Sequence, residues 1–185
     1  MYMFLIPLLM GFAFDSASAF TGAYSCSWGN RRGQLASFIL RNILGIPLWA
    51  LGFVLASQQP SSPLFVPGPV TEILGWMLIV AGAVLVTWGL GFIGWRAVMP
   101  SVQDTLACSG PYTHIRHPLH SGVLLEFFGL VLLQPTTTVL LACTLGCGWV
   151  IIQTRLEELD LLRRIPAYRQ YMEQVPRFVP HLWKR

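Results

Sequence analysis

Gly110-Pro111-Tyr112-Thr113-His114-Ile115-Arg116-His117-Pro118-Leu119-His120-Ser121-Gly122-Val123-Leu124-Leu125-Glu126 joins two kinds of sequence that rarely adjoin. Three histidines and an arginine fall within the seven residues from His114 to His120, and an apolar run, Val123 to Leu133, follows at once. Polar, proton-carrying groups at the mouth of a membrane helix cost free energy unless they find partners. The chain reads as built to hold this cluster against a membrane surface.

Composition points the same way. Of the 185 residues 54% are hydrophobic and 11% charged, against roughly 25% charged in an ordinary soluble domain. Several apolar stretches approach or exceed the roughly 18 residues of a membrane span. The net charge of +4 does not argue for nucleic acid, because the basic residues flank apolar runs, as positive-inside topology requires. Four cysteines form no framework: Cys143 and Cys147 sit one helical turn apart in an apolar run as small packing residues, and Cys26 and Cys108 are isolated.

Outward from the cluster, five spans are expected. The first lies in residues 2 to 25, strongly apolar from Tyr2 to Phe14. Ala17-Ser18-Ala19 resembles a cleavage site, but no positive charge precedes the apolar run, which favours a retained helix; Asp15 then sits inside it, as packing polar or as part of a site. The second span is Leu35 to Ala56, with Arg31, Arg32 and Arg41 around its start and Pro47 as a kink point. Gln58 to Val70, with four prolines and no charge, is an external loop. The third, Ile73 to Trp95, carries Gly75, Gly82 and Gly89 on one face, a surface for close helix packing or for a lipid tail. The fourth, Leu119 to Leu133, turns through Gln134-Pro135-Thr136 into the fifth, Thr137 to about Thr154, and Arg155 opens a charged tail. With the amino terminus outside, the loops around residues 57 to 71 and 134 to 136 contain no Arg or Lys. The expectation is an all-α, polytopic membrane helix bundle of about five transmembrane helices with a cytoplasmic C-terminal helical tail. Residues 1–104 supply three helices, and residues 105–185 form a cofactor-binding unit on the cytoplasmic side.

The chemistry concentrates in that second unit. Pro118 suits the first turn of a helix, so Arg116 and His117 stand at a helix start, where free N–H groups favour an anionic ligand. Arg116 offers a fork for a carboxylate or for a lipid phosphate. Glu157 and Glu158 return beside His117 on the fifth helix. Cation and anion holders face each other, as a zwitterionic ligand needs. Neighbours on a helix diverge by about 100°, so one glutamate is expected to face the site and the other solvent, Arg155 or a tail arginine. Glu126 lies nine residues past His117, roughly 13 Å along a helix. It is either functional or hydrogen-bonded to Asp15, Thr87 or Gln153. Tyr168 and Tyr171 share a helix face, and Val175-Pro176-Arg177-Phe178-Val179-Pro180 turns the chain.

Gly-Pro-Tyr-x-x-x-Arg-His-Pro, a hairpin, Glu-Glu, Tyr-x-x-Tyr and Val-Pro-Arg-Phe-x-Pro, in this order over residues 105 to 181, resemble the isoprenylcysteine carboxyl methyltransferase and phospholipid methyltransferase superfamily of integral membrane enzymes. The resemblance implies S-adenosylmethionine as cofactor and a lipid-like or prenylated acceptor. It points to Tyr112, His114, Ile115, Arg116, His117, Pro118, Glu157, Glu158 and Tyr168 for the cofactor, with Glu126 and Arg116 as catalytic candidates. His120 stands where the family usually has Tyr, and Ile165-Pro166 where it has Phe-Gly. No metal is expected: His114, His117 and His120 lie in a Pro-broken turn, and no Cys or Asp completes a ligand set. Neither nucleic acid nor an obligatory protein partner is implied; membrane lipids are. The rival function is a transport or proton-relay accessory protein, which needs polar residues through several spans, where only Asp15 and Glu126 occur.

Overall fold

The computed structural model describes residues 2–180. Five residues of the expected tail, His181 to Arg185, lie outside the described part. The described chain is helical, with one isolated bridge between Pro63 and Thr136.

The first apolar stretch divides. Helix α1 (Leu5–Ser18) is followed by α2 (Thr21–Trp28), and the two are bent by 61°. Ser18 donates its hydroxyl to the Asp15 carbonyl at 2.6 Å, and Thr21 bonds the Ser18 carbonyl and Ser37, so small hydroxyl residues satisfy the break locally. The second apolar stretch starts earlier than its hydropathy suggested. Helix α3 (Asn30–Phe38), a π-helical turn (Ile39–Gly45) and α4 (Ile46–Gln58) make one rod of 29 residues. The π turn lies directly before Pro47, which has no N–H to give the preceding turn. Helices α1 and α4 run antiparallel in contact: a Cβ on Gly52 would meet Leu8 Cβ at 2.6 Å, and one on Gly11 would strike the Trp49 backbone.

Helix α5 (Pro69–Ile93) opens with Pro at its first position, and the Gly68 N–H donates to Thr71 Oγ1 at 2.9 Å. Its three aligned glycines face α6 (Pro118–Leu133), which has glycines of its own at 122 and 129. A Cβ on Gly82 would lie 2.5 Å from the Gly122 carbonyl oxygen, and one on Gly75 3.1 Å from that of Gly129. Close packing is the use of this stripe. After the turn at 134–136, α7 (Thr137–Arg164) begins with Thr136 as N-cap, and a short α8 (Tyr168–Gln174) follows.

Among the described residues three helices are long and apolar enough to cross a membrane, at residues 30–58, 69–97 and 137–164, or four if the bent α1–α2 pair is one span. The expected count of five is reached only if the bent pair and the shorter apolar helix α6 are each counted as a span. At 16 residues α6 is about 24 Å long, short of the roughly 30 Å hydrocarbon thickness. The charged stretch that Arg155 opens continues the same helix, because α7 runs unbroken past Arg155 to Arg164.

The two ends of the bundle differ. At one, Leu64 N–H donates to the Pro135 carbonyl and Thr137 N–H to that of Ser62, tying the two uncharged loops together. At the other, Arg164 pairs with Asp160 at 2.6 Å and donates to the Ser101 carbonyl, while Asp160 accepts from Gly22 N–H. The His/Arg stretch lies at this charged end.

Candidate active site

The start of α6 is held by the end of the chain. Arg116 N–H donates to the Pro176 carbonyl at 2.9 Å and His117 N–H to that of Arg177 at 3.1 Å. Ser121 Oγ donates to the carbonyls of His117 and Phe178. Residues 176–178 thus form a strap across the helix start. The strap uses the Arg116 and His117 N–H groups, which were expected to be free for a ligand. Proline at 176 and 118 keeps both segments from continuing as helix into each other.

Between strap and α7 sits His117, 6% exposed. Its Nε2 lies 3.3 Å from Glu158 Oε1 and its Nδ1 3.6 Å from Glu157 Oε2. Both glutamates therefore address the same ring, one at each nitrogen. Of the expected division, one carboxylate to the site and the other to solvent, Arg155 or a tail arginine, the tail-arginine alternative describes Glu158, which pairs with Arg177. Both acids nevertheless reach the His117 ring, which stands between the two directions that neighbours on α7 take. Burial alone would lower the His117 pKa; hydrogen bonds to Glu157 and Glu158 outweigh it and raise it.

The two acids differ in their other partners. Glu158, 2% exposed, accepts a two-pronged bond from the Arg177 guanidinium and lies 3.2 Å from Arg116 Nε. Arg116 also donates to the Met172 carbonyl at 2.8 Å. Its fork thus joins α6, α7 and α8, whereas the sequence suggested a free holder for an anion. Glu157 accepts from Gln153 Nε2 at 3.0 Å and approaches His120 Nε2 at 4.0 Å. Its side chain remains 26% exposed, so it is the more accessible carboxylate.

Aromatic rings wall the cluster. Trp149, Gln153 and Glu157 recur every four residues along α7 and so share a face. Trp149 stacks on Phe12 at 4.7 Å and tilts towards His120 at 6.3 Å. Tyr168 and Tyr171 are buried, and Tyr171 donates its hydroxyl to the Tyr112 carbonyl at 2.6 Å. Burial chiefly raises the pKa of Tyr112, with Glu157 adding to it, and that of Tyr168, with Glu158 adding to it. Both stay neutral phenols. Three buried polar atoms here lack a hydrogen-bond partner among the described residues: Tyr112 Oη, Trp149 Nε1 and Gln153 Oε1. Unpaired buried polar groups are costly, and their convergence on one cluster marks a place made for polar company.

Not every expected residue joins it. Exposed His114 and buried Ile115 line an apolar groove of about 450 Å³ with Trp88, Leu125, Phe128 and Phe178. Pro118 is buried beneath α5, where a Cβ on Gly89 would meet its ring at 3.3 Å. Glu126 lies on the α5–α6 seam, its Cγ 2.8 Å from where a Gly82 Cβ would stand. Its three expected partners are engaged elsewhere: Asp15 with Trp49 Nε1 at 3.3 Å, Thr87 with the Ala83 carbonyl, and Gln153 with Glu157.

The phospholipid methyltransferase family model matches residues 70–169, more than half of the chain. The chain belongs to that family. It is also 28% identical over 154 residues to the cobalt-zinc-cadmium resistance protein CzcN of Cupriavidus metallidurans, covering 80% of this chain and 68% of that protein. No solved structure matches. In this family member the matched region contains both glutamates, His117 and the whole α5–α6 seam.

Sequence reasoning missed four contributors. Arg177 lay in a segment read as a turn and as part of the Val-Pro-Arg-Phe-x-Pro motif; a tail arginine was foreseen as partner of one glutamate, but Arg177 was not named for the site. His120 was noted as one of the clustered histidines, as a departure from the family and in a rejected metal-ligand set, but was not placed in the site, although His117-x-x-His120 across a helix start puts both rings on one side. Trp149 and Gln153 carried a signal in their four-residue spacing from Glu157, which ordinary helix packing also produces.

Proposed function

We propose that this protein is a multi-pass membrane methyltransferase that draws on S-adenosylmethionine and modifies a lipid-like acceptor at the cytoplasmic face. The observation that carries the reading is the pairing of His117 with two carboxylates, roofed by the strap, inside the region that belongs to a methyltransferase family. The orphaned Tyr112 hydroxyl, Trp149 N–H and Gln153 carbonyl suit a ligand with many polar atoms, so the residues present fit the donor.

Glu157, the accessible acid, would accept hydrogen bonds from the donor's ammonium or ribose, and Gln153 orients it. Glu158, enclosed by Arg116, Arg177 and His117, positions the site by fixing the strap. Tyr112 and Tyr168, neutral at working pH, present aromatic faces that favour a cationic centre. When bound, S-adenosylmethionine supplies an electrophilic methyl group, and the protein's share is position and electrostatics. The apolar groove beside His114 opens between α5, α6 and the strap and suits an acceptor's hydrocarbon tail. Such a half-membrane site excludes water from the reaction. The rival, a proton relay through the spans, loses support because Asp15 is bonded to Trp49 and Glu126 sits on a packing seam.

The test is methyl transfer by purified protein in detergent–lipid micelles. S-adenosylmethionine labelled in its methyl group, incubated with membrane lipid extract, is expected to leave label in an extractable lipid with wild type and not with Glu157→Gln. Equal label in both, or none with wild type across extracts, rejects the reading.

A further inference from the structure

His117, His120 and Glu157 bring two imidazoles and a carboxylate together with their ligand atoms all within 4.8 Å of one another. The individual approaches are 3.6 Å from His117 Nδ1 to Glu157 Oε2 and 4.0 Å from His120 Nε2 to Glu157 Oε1. The two rings are 5.6 Å apart between centroids. Ligand atoms around a tetrahedral zinc ion at bond lengths of 2.0 to 2.2 Å stand about 3.4 Å apart. A small contraction, within the reach of side-chain rotation, closes the set.

The surroundings match what a metal-binding imidazole needs. A ligating histidine almost always gives its second ring nitrogen to a carboxylate, which fixes the tautomer and the ring. Glu158 Oε1 stands 3.3 Å from His117 Nε2 and is itself fixed by Arg116 and Arg177. With the proton on Nε2, Nδ1 turns a bare lone pair towards Glu157, so acceptor faces acceptor. Glu157 in turn is held by Gln153. A proton on Nδ1 relieves that one contact and does nothing for His120, which makes no hydrogen bond among the described residues. A cation engages all three groups at once.

We propose that His117 Nδ1, His120 Nε2 and the Glu157 carboxylate form a binding site for a divalent cation of the zinc class. Three protein ligands leave a fourth position open. Two nitrogens and one carboxylate suit Zn²⁺ or Co²⁺, whereas Mg²⁺ and Ca²⁺ prefer oxygen ligands throughout. Binding releases any proton His117 Nδ1 carries, so affinity falls as pH falls. The site shares His117 and Glu157 with the proposed donor site, so the two ligands compete, but cation binding itself does not depend on the methyltransferase reading.

Full-chain protein in detergent, purified through a tag without histidines, is titrated with Co²⁺ and followed by visible absorption. One Co²⁺ per chain is expected, with d–d bands of nitrogen and oxygen ligation and no thiolate charge-transfer band. Zn²⁺ displaces it and Mg²⁺ does not. His120→Asn and Glu157→Gln each abolish the bands. Glu158→Gln weakens binding roughly 10- to 100-fold, as loss of an outer partner does. His181→Asn, Cys26→Ser and Cys108→Ser leave the titration unchanged. Circular dichroism and gel filtration accompany each variant, and because His120 and Glu157 sit on different helices, one that loses its fold is read through the other. Absent bands, bands that survive both ligand variants, or bands that vanish with the cysteines overturn the site. A chain that binds S-adenosylhomocysteine but not Co²⁺ rejects this inference alone.

Discussion

At the scale of single residues, the two adjacent glutamates divide the work by what surrounds them. Glu158 neutralises two guanidiniums in a buried corner, so Glu158→Gln leaves Arg116 and Arg177 without a counter-charge. Breaking a buried pair from one side costs about 3–5 kcal/mol, and the expected result is a large drop in thermal stability in detergent. Glu157→Gln keeps the shape and loses no arginine partner, so its melting temperature should stay close to wild type. A Glu157→Gln protein that melts as early as Glu158→Gln would show that the two acids are equivalent. The residues that carry charge were legible in the sequence: His117, Glu157, Glu158 and Arg116 all stand in one cluster. Their pairing was not. Helical periodicity says that neighbours diverge, but not that a ring between them offers one nitrogen to each. Arg116 read as free because its partners, Glu158 and the Met172 carbonyl, are 42 and 56 residues away.

At the scale of elements, the seam between α5 and α6 sets where the site stands. Gly75 and Gly82 on one helix meet Gly129 and Gly122 on the other, where the backbones touch, and Gly89 makes room for the Leu119 and Pro118 side chains. Gly82→Ala is expected to destabilise the protein by about 1–3 kcal/mol, the usual cost of overpacking, since the new methyl would stand 2.5 Å from the Gly122 carbonyl. Gly91→Ala, on the same helix with nothing within 4 Å, should be neutral or slightly stabilising, because alanine is the better helix former. Thermal unfolding of the two variants side by side decides it; equal melting temperatures would mean the seam is looser than described. Spacing by seven revealed the face of α5, and so this contact was foreseeable. The break between α1 and α2 was not, because hydropathy runs on through Ala17 to Phe20 while hydroxyl bonds at Ser18 and Thr21 turn the chain. The π turn at Ile39–Gly45 was hidden for a similar reason: Pro47 announces a disturbance but not its geometry.

At the scale of the whole molecule, charge sorts the bundle's ends. The loops joined at Pro63 and Thr136 carry no basic residue, and the opposite end gathers Arg164, Asp160, the strap and the His/Arg cluster. On positive-inside bias the proposed orientation puts the cluster on the cytoplasmic side. In cells expressing protein with Cys26→Ser, a cysteine introduced at Ser62 should react with an impermeant maleimide from outside, and Cys108, exposed and unpaired, only after permeabilisation. The reverse pattern would invert the topology. The long spans at 30–58, 69–97 and 137–164 were readable from hydropathy, and the shorter apolar helix α6 joins the charged end of the bundle to the uncharged one. The central claim, that the strapped His117 cluster is a methyl-donor site, is tested most directly by calorimetric titration of the detergent-solubilised protein with S-adenosylhomocysteine. Saturable one-to-one binding is predicted for wild type. Loss of one charge-assisted hydrogen bond is worth about 1.5–3 kcal/mol, so Glu157→Gln should bind at least about tenfold more weakly. Undiminished affinity in folded Glu157→Gln, or no heat of binding with wild type, would contradict it.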